Sequence, residues 1–134
     1  METKFNFNSA ICTSKVQSER LLALGLKKET ADMYYEMKAE GELPRLMPHA
    51  SEIDYFQLWD SITPAWSLHR IMSMLPRCVD GGYHLAMSYD HIEYRTTYDD
   101  VTTWWRGGGN LYDMIIETLE WLIKEGYFNK EYLV

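Results

Sequence analysis

Apolar and polar side chains alternate along residues 83–98 in a way that an antiparallel hairpin satisfies. If the chain turns around Asp90 and His91, Ser88 faces Glu93, and the alternation of one strand matches that of the other. A register is specified strongly wherever only one face of a strand is buried. The pattern therefore predicts a hairpin, although its turn lacks the glycine that tight hairpins favour. The predicted apolar face carries Tyr83, Leu85, Met87, Tyr89, Ile92, Tyr94, Thr96 and Tyr98, and the opposite face carries His84, Ala86, Ser88, Glu93, Arg95 and Thr97.

A helix is predicted from about Leu111 to Glu125, with Asn110 as its N-cap and Gly126 at its end. Its apolar stripe consists of Leu111, Ile115, Leu119 and Leu122. One apolar helix face against one apolar sheet face predicts a two-layer α+β domain.

Two further helices and two short strands complete the prediction. The first helix starts near Ser14, whose spacing to Gln17 is that of a capping box, and stops at Gly25. The second starts with Thr63 as its cap and Pro64 at its first position, and Pro76 ends it. The predicted strands cover residues 33–37 and 55–59, and residues 38–54 are predicted to be a long loop.

These elements predict one domain over residues 1–134, with residues 1–12 as a candidate arm. The sheet consists of the 83–98 hairpin plus one or two short strands, and it packs against about three helices. A chain of this length can bury a sufficient core without metals or disulfides.

The formal net charge is −7, and residues 46–134 supply all of it, with six Lys or Arg against thirteen Asp or Glu. Such a surface repels phosphate backbones, so we expect no direct binding of nucleic acid. The charge serves either solubility or attraction to a basic partner. No apolar run is long enough to span a membrane, and the polar N-terminus does not resemble a signal peptide. Cys12 and Cys78 imply no disulfide framework, which favours a reducing cytoplasm.

Four segments together resemble a family: residues 21–26 (LLALGL), 30–33 (TADM), 64–68 (PAWSL) and 120–127 (EWLIKEGY). In this set the chain is similar to small uncharacterised proteins encoded by phages and prophages of gut Bacteroidetes. The resemblance covers most of the chain except residues 38–60. It implies a mobile-element origin and the cytoplasm of a bacterial host, and it implies no reaction.

The first candidate contact site lies on the second predicted helix. There Trp66 falls on the polar side, one turn from Arg70 and bordered by His69. A large apolar side chain gains free energy by leaving water, so Trp66 must cover something. It either stacks on Arg70, packs under the 38–60 loop or anchors a partner, because Trp and Arg are enriched at binding hot spots.

The second candidate site is a predicted loop that leads into the last helix, and it consists of Trp104, Trp105, Arg106, Gly107, Gly108, Gly109 and Asn110. A glycine-rich entry into a helix presents free backbone N–H groups, which suit an anion. Arg106 would add charge, and the tryptophans could stack on a ring. The segment lacks the spacing of a P-loop or a dinucleotide fingerprint. Three glycines also suit a connector with no ligand.

No catalytic residue, metal ligand or cofactor is predicted. The four histidines show no ligand spacing, and the acidic residues lack an identifiable partner and pocket. The leading hypothesis is a non-enzymatic phage or prophage accessory protein that acts through protein–protein contacts with a host protein, a phage protein or its own copies. One alternative is an anion or small-ligand binder, or an enzyme, that uses the 104–110 loop. Another is an acidic mimic of nucleic acid.

Overall fold

The computed structural model of the protein describes residues 10–36, 43–48 and 58–134. Within these ranges the chain forms three α-helices and two antiparallel sheets. The helices are α1 (Lys15–Ala23), α2 (Leu68–Ser73) and α3 (Leu111–Glu125). The strands are β1 (Met33–Glu36), β2 (Arg45–Leu46), β3 (Ile62–Ala65), β4 (Cys78–Val79), β5 (Tyr83–Ser88), β6 (His91–Arg95) and β7 (Thr102–Gly107). The α+β class is confirmed.

The predicted hairpin is formed by β5 and β6 in a four-stranded sheet of order β4-β5-β6-β7. The predicted pairing was wrong by two residues, because Ser88 faces His91 and only Tyr89 and Asp90 form the turn. An offset of two leaves every strand residue on its predicted face. The strand β6 ends at Arg95, so Tyr98 lies beyond the pairing and is exposed.

The helix α3 covers one face of this sheet, which we name the inner face. Asn110 caps α3 and Gly126 ends it with a left-handed φ of 78°, as predicted. Tyr94 and Ile92 on the sheet and Ile115 on the helix are fully buried. The main core contains Leu21, Trp66, Ile71, Ile92, Tyr94, Ile115, Ile116, Leu119 and Leu122, among others.

The second sheet has three strands in the order β2-β1-β3. The strand at Met33 is confirmed, and Met37 lies outside the described residues. The predicted 38–54 loop contains the two-residue strand β2, and its remaining residues are described only at 43–48. The sequence predicted one sheet, but β1 pairs with β3 over four residues instead of extending the hairpin.

The predicted start of the second helix was wrong. Thr63 and Pro64 lie in β3, whose pairing with β1 replaces the predicted first turn. Proline is tolerated there because β3 lies at an edge of the sheet formed by the described strands. The helix begins after Ser67, whose side chain accepts a hydrogen bond from the Arg70 N–H. Pro76 follows the helix end as predicted.

The 55–59 strand was wrong where it is described, because Leu58–Asp60 form a 3₁₀ helix. Residues 55–57 lie outside the described residues. At the N-terminal side, the Ser14 capping box of α1 is confirmed. Within the candidate arm, Cys12 is buried and forms an isolated antiparallel β-bridge with Ser67 through the backbone. Residues 1–9 lie outside the described residues.

Candidate functional site

Trp66 is a core residue and lies outside any helix. It is 0% exposed, and its indole N–H donates to the Thr30 hydroxyl at 2.9 Å. Its backbone N–H donates to the Thr13 hydroxyl at 3.1 Å, and its carbonyl accepts from the Thr13 N–H at 2.9 Å. The helical-wheel placement of Trp66 was wrong because α2 starts two residues later. The side chain is therefore enclosed by the chain itself.

His69 and Arg70 occupy the first turn of α2 and are exposed. Because Trp66 is buried, the structure does not bring these three residues together on one surface. The first predicted contact site is therefore divided between the core and the solvent.

The second predicted site lies mostly on a strand rather than a loop. Trp104, Trp105, Arg106 and Gly107 belong to β7, which pairs with β6 through Glu93↔Trp105 and Tyr94↔Trp104. The β-branched and aromatic residues of 101–105 are typical of a strand, so the sequence carried a signal for β7 that the glycine-based interpretation missed. Only Gly108, Gly109 and Asn110 connect β7 to α3.

On the inner face, Trp104 is held by helix α3. Its indole N–H donates to the Thr118 hydroxyl at 3.0 Å, and its ring stacks on Trp121 with a centroid separation of 4.9 Å. The Arg106 guanidinium carbon lies 3.8 Å from the centre of the Trp104 ring. Arg106 Nε also lies 3.5 Å from a Glu117 carboxylate oxygen. A cation thus lies on an aromatic face beside a carboxylate.

A groove of about 290 Å³ runs between β7 and α3 beside this stack. Its lining combines two ring systems with charges of both signs, from Trp104, Arg106, Glu117, Glu120, Trp121 and Lys124. The groove therefore favours neither a purely anionic nor a purely apolar ligand.

On the opposite, outer face, Trp105 is 54% exposed. Its ring lies along the strand over Gly107, where an added Cβ would meet the ring at 2.6 Å. The glycine at 107 therefore provides the space for the ring. Trp105 is the most exposed tryptophan that the structure describes.

Three of the backbone N–H groups that were predicted to suit an anion, those of Gly108, Tyr112 and Asp113, bond within the protein. The Asn110 side-chain oxygen accepts hydrogen bonds from the backbone N–H groups of Tyr112 and Asp113. Gln17 Nε2 donates to the Asp113 carboxylate at 2.9 Å, and the Gly108 N–H donates to the Asp90 carbonyl at 3.1 Å. Arg106 pairs with Glu117, which lies in the middle of α3, and not with a group at the helix N-terminus.

The feature that the sequence did not reveal is that β7 is an edge strand of its sheet among the strands that the structure describes. Backbone groups of an antiparallel edge strand point alternately toward and away from the neighbouring strand. The Gly108 N–H bonds to the Asp90 carbonyl. The backbone N–H and carbonyl groups of every second residue before Gly108, namely Arg106 and Trp104, therefore point toward β6. The backbone N–H and carbonyl of Trp105 therefore point away from β6, and the carbonyl accepts a hydrogen bond from Arg106 Nη1 at 2.8 Å.

Among the described strands, the other sheet edges are short or contain proline. β2 and β4 have two residues each, and β3 contains Pro64. β7 has six residues and no proline, so it is the longest proline-free edge strand in the described part of the fold.

A polar cluster surrounds the β5–β6 turn. The Ser88 hydroxyl donates to the Asp90 carboxylate at 2.5 Å and lies 2.7 Å from His91 Nδ1. The Ser88 hydrogen bond, followed by that of His91, lowers the pKa of the Asp90 carboxyl. These contacts stabilise a two-residue turn that lacks glycine.

The thiol of Cys12 lies 3.4 Å from the Tyr35 hydroxyl. Burial raises the pKa of this thiol, which disfavours the nucleophilic thiolate. Within the described ranges, no group of three or more His, Cys, Asp or Glu residues is arranged to hold a metal ion. No helix in those ranges is long and apolar enough to cross a bilayer.

Comparison with known proteins gives no relative: no family model matches the chain, and no curated protein or solved structure is significantly similar to it.

Proposed function

We propose that this chain is a non-enzymatic accessory protein that acts through protein–protein contacts, with β7 as its contact strand. The observation that carries the proposal is the open edge of β7, which combines outward backbone groups at Trp105 with a half-exposed indole ring. The partner is an extended segment that adds as a further strand, a common mode of peptide recognition.

The two faces of β7 supply different contacts to such a segment. On the outer face, Trp105 offers apolar area to one side chain of the segment. On the inner face, the groove beside Trp104 and Trp121 receives the next side chain. Because side chains alternate along a strand, main-chain hydrogen bonds provide affinity and these two surfaces provide specificity.

Arg106 protects the edge while no partner is bound. Its guanidinium covers the Trp105 carbonyl, and charged side chains on an edge strand oppose indiscriminate pairing. A bound segment replaces this side-chain donor with a backbone N–H.

The local pairing of charges favours this function over the two alternatives. The backbone N–H groups of Tyr112 and Asp113 donate to the Asn110 side chain, and Arg106 pairs with Glu117, so these groups already have partners that an anion would have to displace. Glu93 and Glu117 lie beside Arg95 and Arg106, so these carboxylates are partly neutralised, which does not suit a mimic of a phosphate backbone. The origin from a phage or prophage and the bacterial cytoplasm are part of the proposal and are supported by the sequence resemblance alone.

Selection of random extended peptides on the immobilised protein tests the proposal, with two substitutions at one position. Trp105→Pro removes the outward N–H without removing a bond to β6, whereas Trp105→Val keeps the N–H and removes the ring. We expect selected peptides to lose at least about tenfold in affinity with Trp105→Pro and less with Trp105→Val. Circular dichroism verifies that both variants are folded. Failure to select peptides, or peptides that bind Trp105→Pro as well as wild type, would overturn the proposal.

A further inference from the structure

We infer that, when no other segment is bound, β7 pairs with β7 of a second copy of this chain. Two four-stranded sheets then join into one antiparallel sheet. The inference rests on the proposed use of β7 and names an occupant for that edge. An isologous contact of this kind needs a strand that is complementary to itself about a two-fold axis.

The direction of the backbone groups restricts the register. The backbone N–H and carbonyl of Trp105 point away from β6. A two-fold axis at Trp105 therefore lets each Trp105 N–H donate to the carbonyl of the facing Trp105. Trp104 of one copy then lies opposite Arg106 of the other. This is a non-hydrogen-bonded pair, in which the Cα atoms approach to about 4.5 Å.

Charge and ring complementarity select this register over its neighbours. An axis at Arg106 places the two arginines directly opposite each other, which is unfavourable. An axis at Trp104 places Arg106 opposite Thr102 and away from the facing indole. Only the axis at Trp105 gives each guanidinium a facing ring.

The contacts inside one copy show that this surface already accommodates a guanidinium. Arg106 lies 3.8 Å from the centre of the Trp104 ring and 3.5 Å from Glu117. In the dimer each guanidinium lies between its own Trp104 ring and the facing one, with a carboxylate beside it. Cation–π contacts of this kind strengthen when they are removed from water.

The dimer also provides partners for the Trp105 carbonyl and for the Trp105 ring. The Trp105 carbonyl, which accepts from Arg106 Nη1 in one copy, accepts from the facing Trp105 N–H instead. The Trp105 ring, 54% exposed in one copy, meets the facing ring on the outer face. The net charge of −7 on each copy opposes association, so the dimer should strengthen as salt screens the repulsion.

Sedimentation equilibrium of the full chain, from micromolar to near-millimolar concentration, tests the inference. We expect a reversible dimer whose dissociation constant rises at least about tenfold with Trp105→Pro and with Arg106→Glu. Val16→Ala, an exposed change on α1, serves as the control and should leave the constant unchanged. A wild-type protein that stays monomeric throughout this range would overturn the inference, and so would a dimer that both β7 variants leave intact.

Oxidative cross-linking tests the register in a Cys78→Ser background, which removes the exposed native thiol. Trp105→Cys should form a disulfide between copies, because paired Cα atoms at this position lie about 5.5 Å apart. Arg106→Cys should not, because residue 106 faces residue 104 of the second copy. Equal cross-linking of the two variants would contradict this register. If the protein is monomeric but selected peptides still require the Trp105 N–H, only the dimer is rejected. Selected peptides whose affinity does not depend on that N–H would reject the proposed function itself.

Discussion

The guanidinium of Arg106 stacks at 3.8 Å on the ring of Trp104, the residue two positions earlier in the same edge strand. Trp104 in turn stacks on Trp121 of α3. A charged residue on the exposed side, an aromatic layer and a helix thus form one continuous stack at the edge of the sheet. This stack lies on the inner face of the sheet, whereas Trp105 lies on the outer face and is exposed to solvent.

The tryptophans should differ in their contribution to stability. Trp121 contacts the rings of Tyr94, Trp104 and Tyr127, so we expect Trp121→Ala to lower the free energy of unfolding by about 2–4 kcal/mol. Trp105→Ala, the matched control on the outer face, should cost less than about 1 kcal/mol. Urea unfolding at low protein concentration measures both, and equal costs would contradict the packing of Trp121.

Gly107 and Trp105 should be energetically coupled. A methyl group at residue 107 meets the Trp105 ring at 2.6 Å, so Gly107→Ala displaces the ring and should destabilise the fold by about 1 kcal/mol. In a Trp105→Val background this penalty should fall by about 0.5 kcal/mol or more. A double-mutant cycle measures the coupling, and strictly additive effects would show that the ring does not rest on Gly107.

The buried indole of Trp66 needs its acceptor. Thr30→Val leaves the Trp66 N–H without the hydroxyl that it bonds at 2.9 Å, so we expect a loss of about 1–3 kcal/mol in the free energy of unfolding. Thr103→Val, on an exposed residue of β7, is the isosteric control and should change stability by less than about 0.5 kcal/mol. Similar losses for the two variants would argue against the buried position of Trp66.

Alkaline pH should destabilise the fold through buried tyrosines. Burial raises the pKa of Tyr94 above its unfolded value of about 10, so the folded state keeps the phenol neutral. The stabilisation that this provides is complete below pH of about 10 and is lost as the pH rises toward the folded pKa. Tyr94→Phe should remove part of the alkaline loss, while costing about 1 kcal/mol at neutral pH through the lost bond to the Pro76 carbonyl. Urea unfolding as a function of pH tests both expectations, and an unchanged alkaline slope would refute them.

The turn carboxyl should respond to acid in the opposite sense. Because the pKa of Asp90 is lowered mainly by the Ser88 hydroxyl, its stabilisation is present above the unfolded pKa and is lost as the pH falls. Ser88→Ala should move the pKa of Asp90 up toward its ordinary value, as followed by nuclear magnetic resonance. Ser73→Ala, whose hydroxyl bonds to the Arg70 carbonyl, should leave it unchanged. No movement with Ser88→Ala would rule out this hydrogen bond as the cause.

Several elements could be predicted because their signals are local. The Ser14–Gln17 capping box and the Asn110 and Gly126 ends of α3 depend on residues within one helical turn. The faces of the hairpin follow from alternation, which survives the two-residue offset of its register. Alternation cannot fix that register, because a shift of two residues keeps every side chain on the same face. At the observed turn the Ser88 hydroxyl bonds to the Asp90 carboxylate.

Local signals failed where a distant strand competes for the same residues. Thr63 and Pro64 have the pattern of a helix start, yet their segment pairs with β1, which is far away in the sequence. That pairing moves the start of α2 and places Trp66 in the core. A candidate surface residue thereby becomes a buried one.

The chain's own residue pattern was sufficient for the α+β class, the Ser14 cap of α1, the two ends of α3 and the two faces of the hairpin, because each depends on periodicity or on neighbours in the chain. Tertiary structure alone decided that Trp66 is enclosed, that β7 pairs with β6 and that β7 is an edge strand among the strands that the structure describes. Those outcomes depend on which segments pair across long separations, and backbone hydrogen bonding between distant strands leaves little trace in either strand alone.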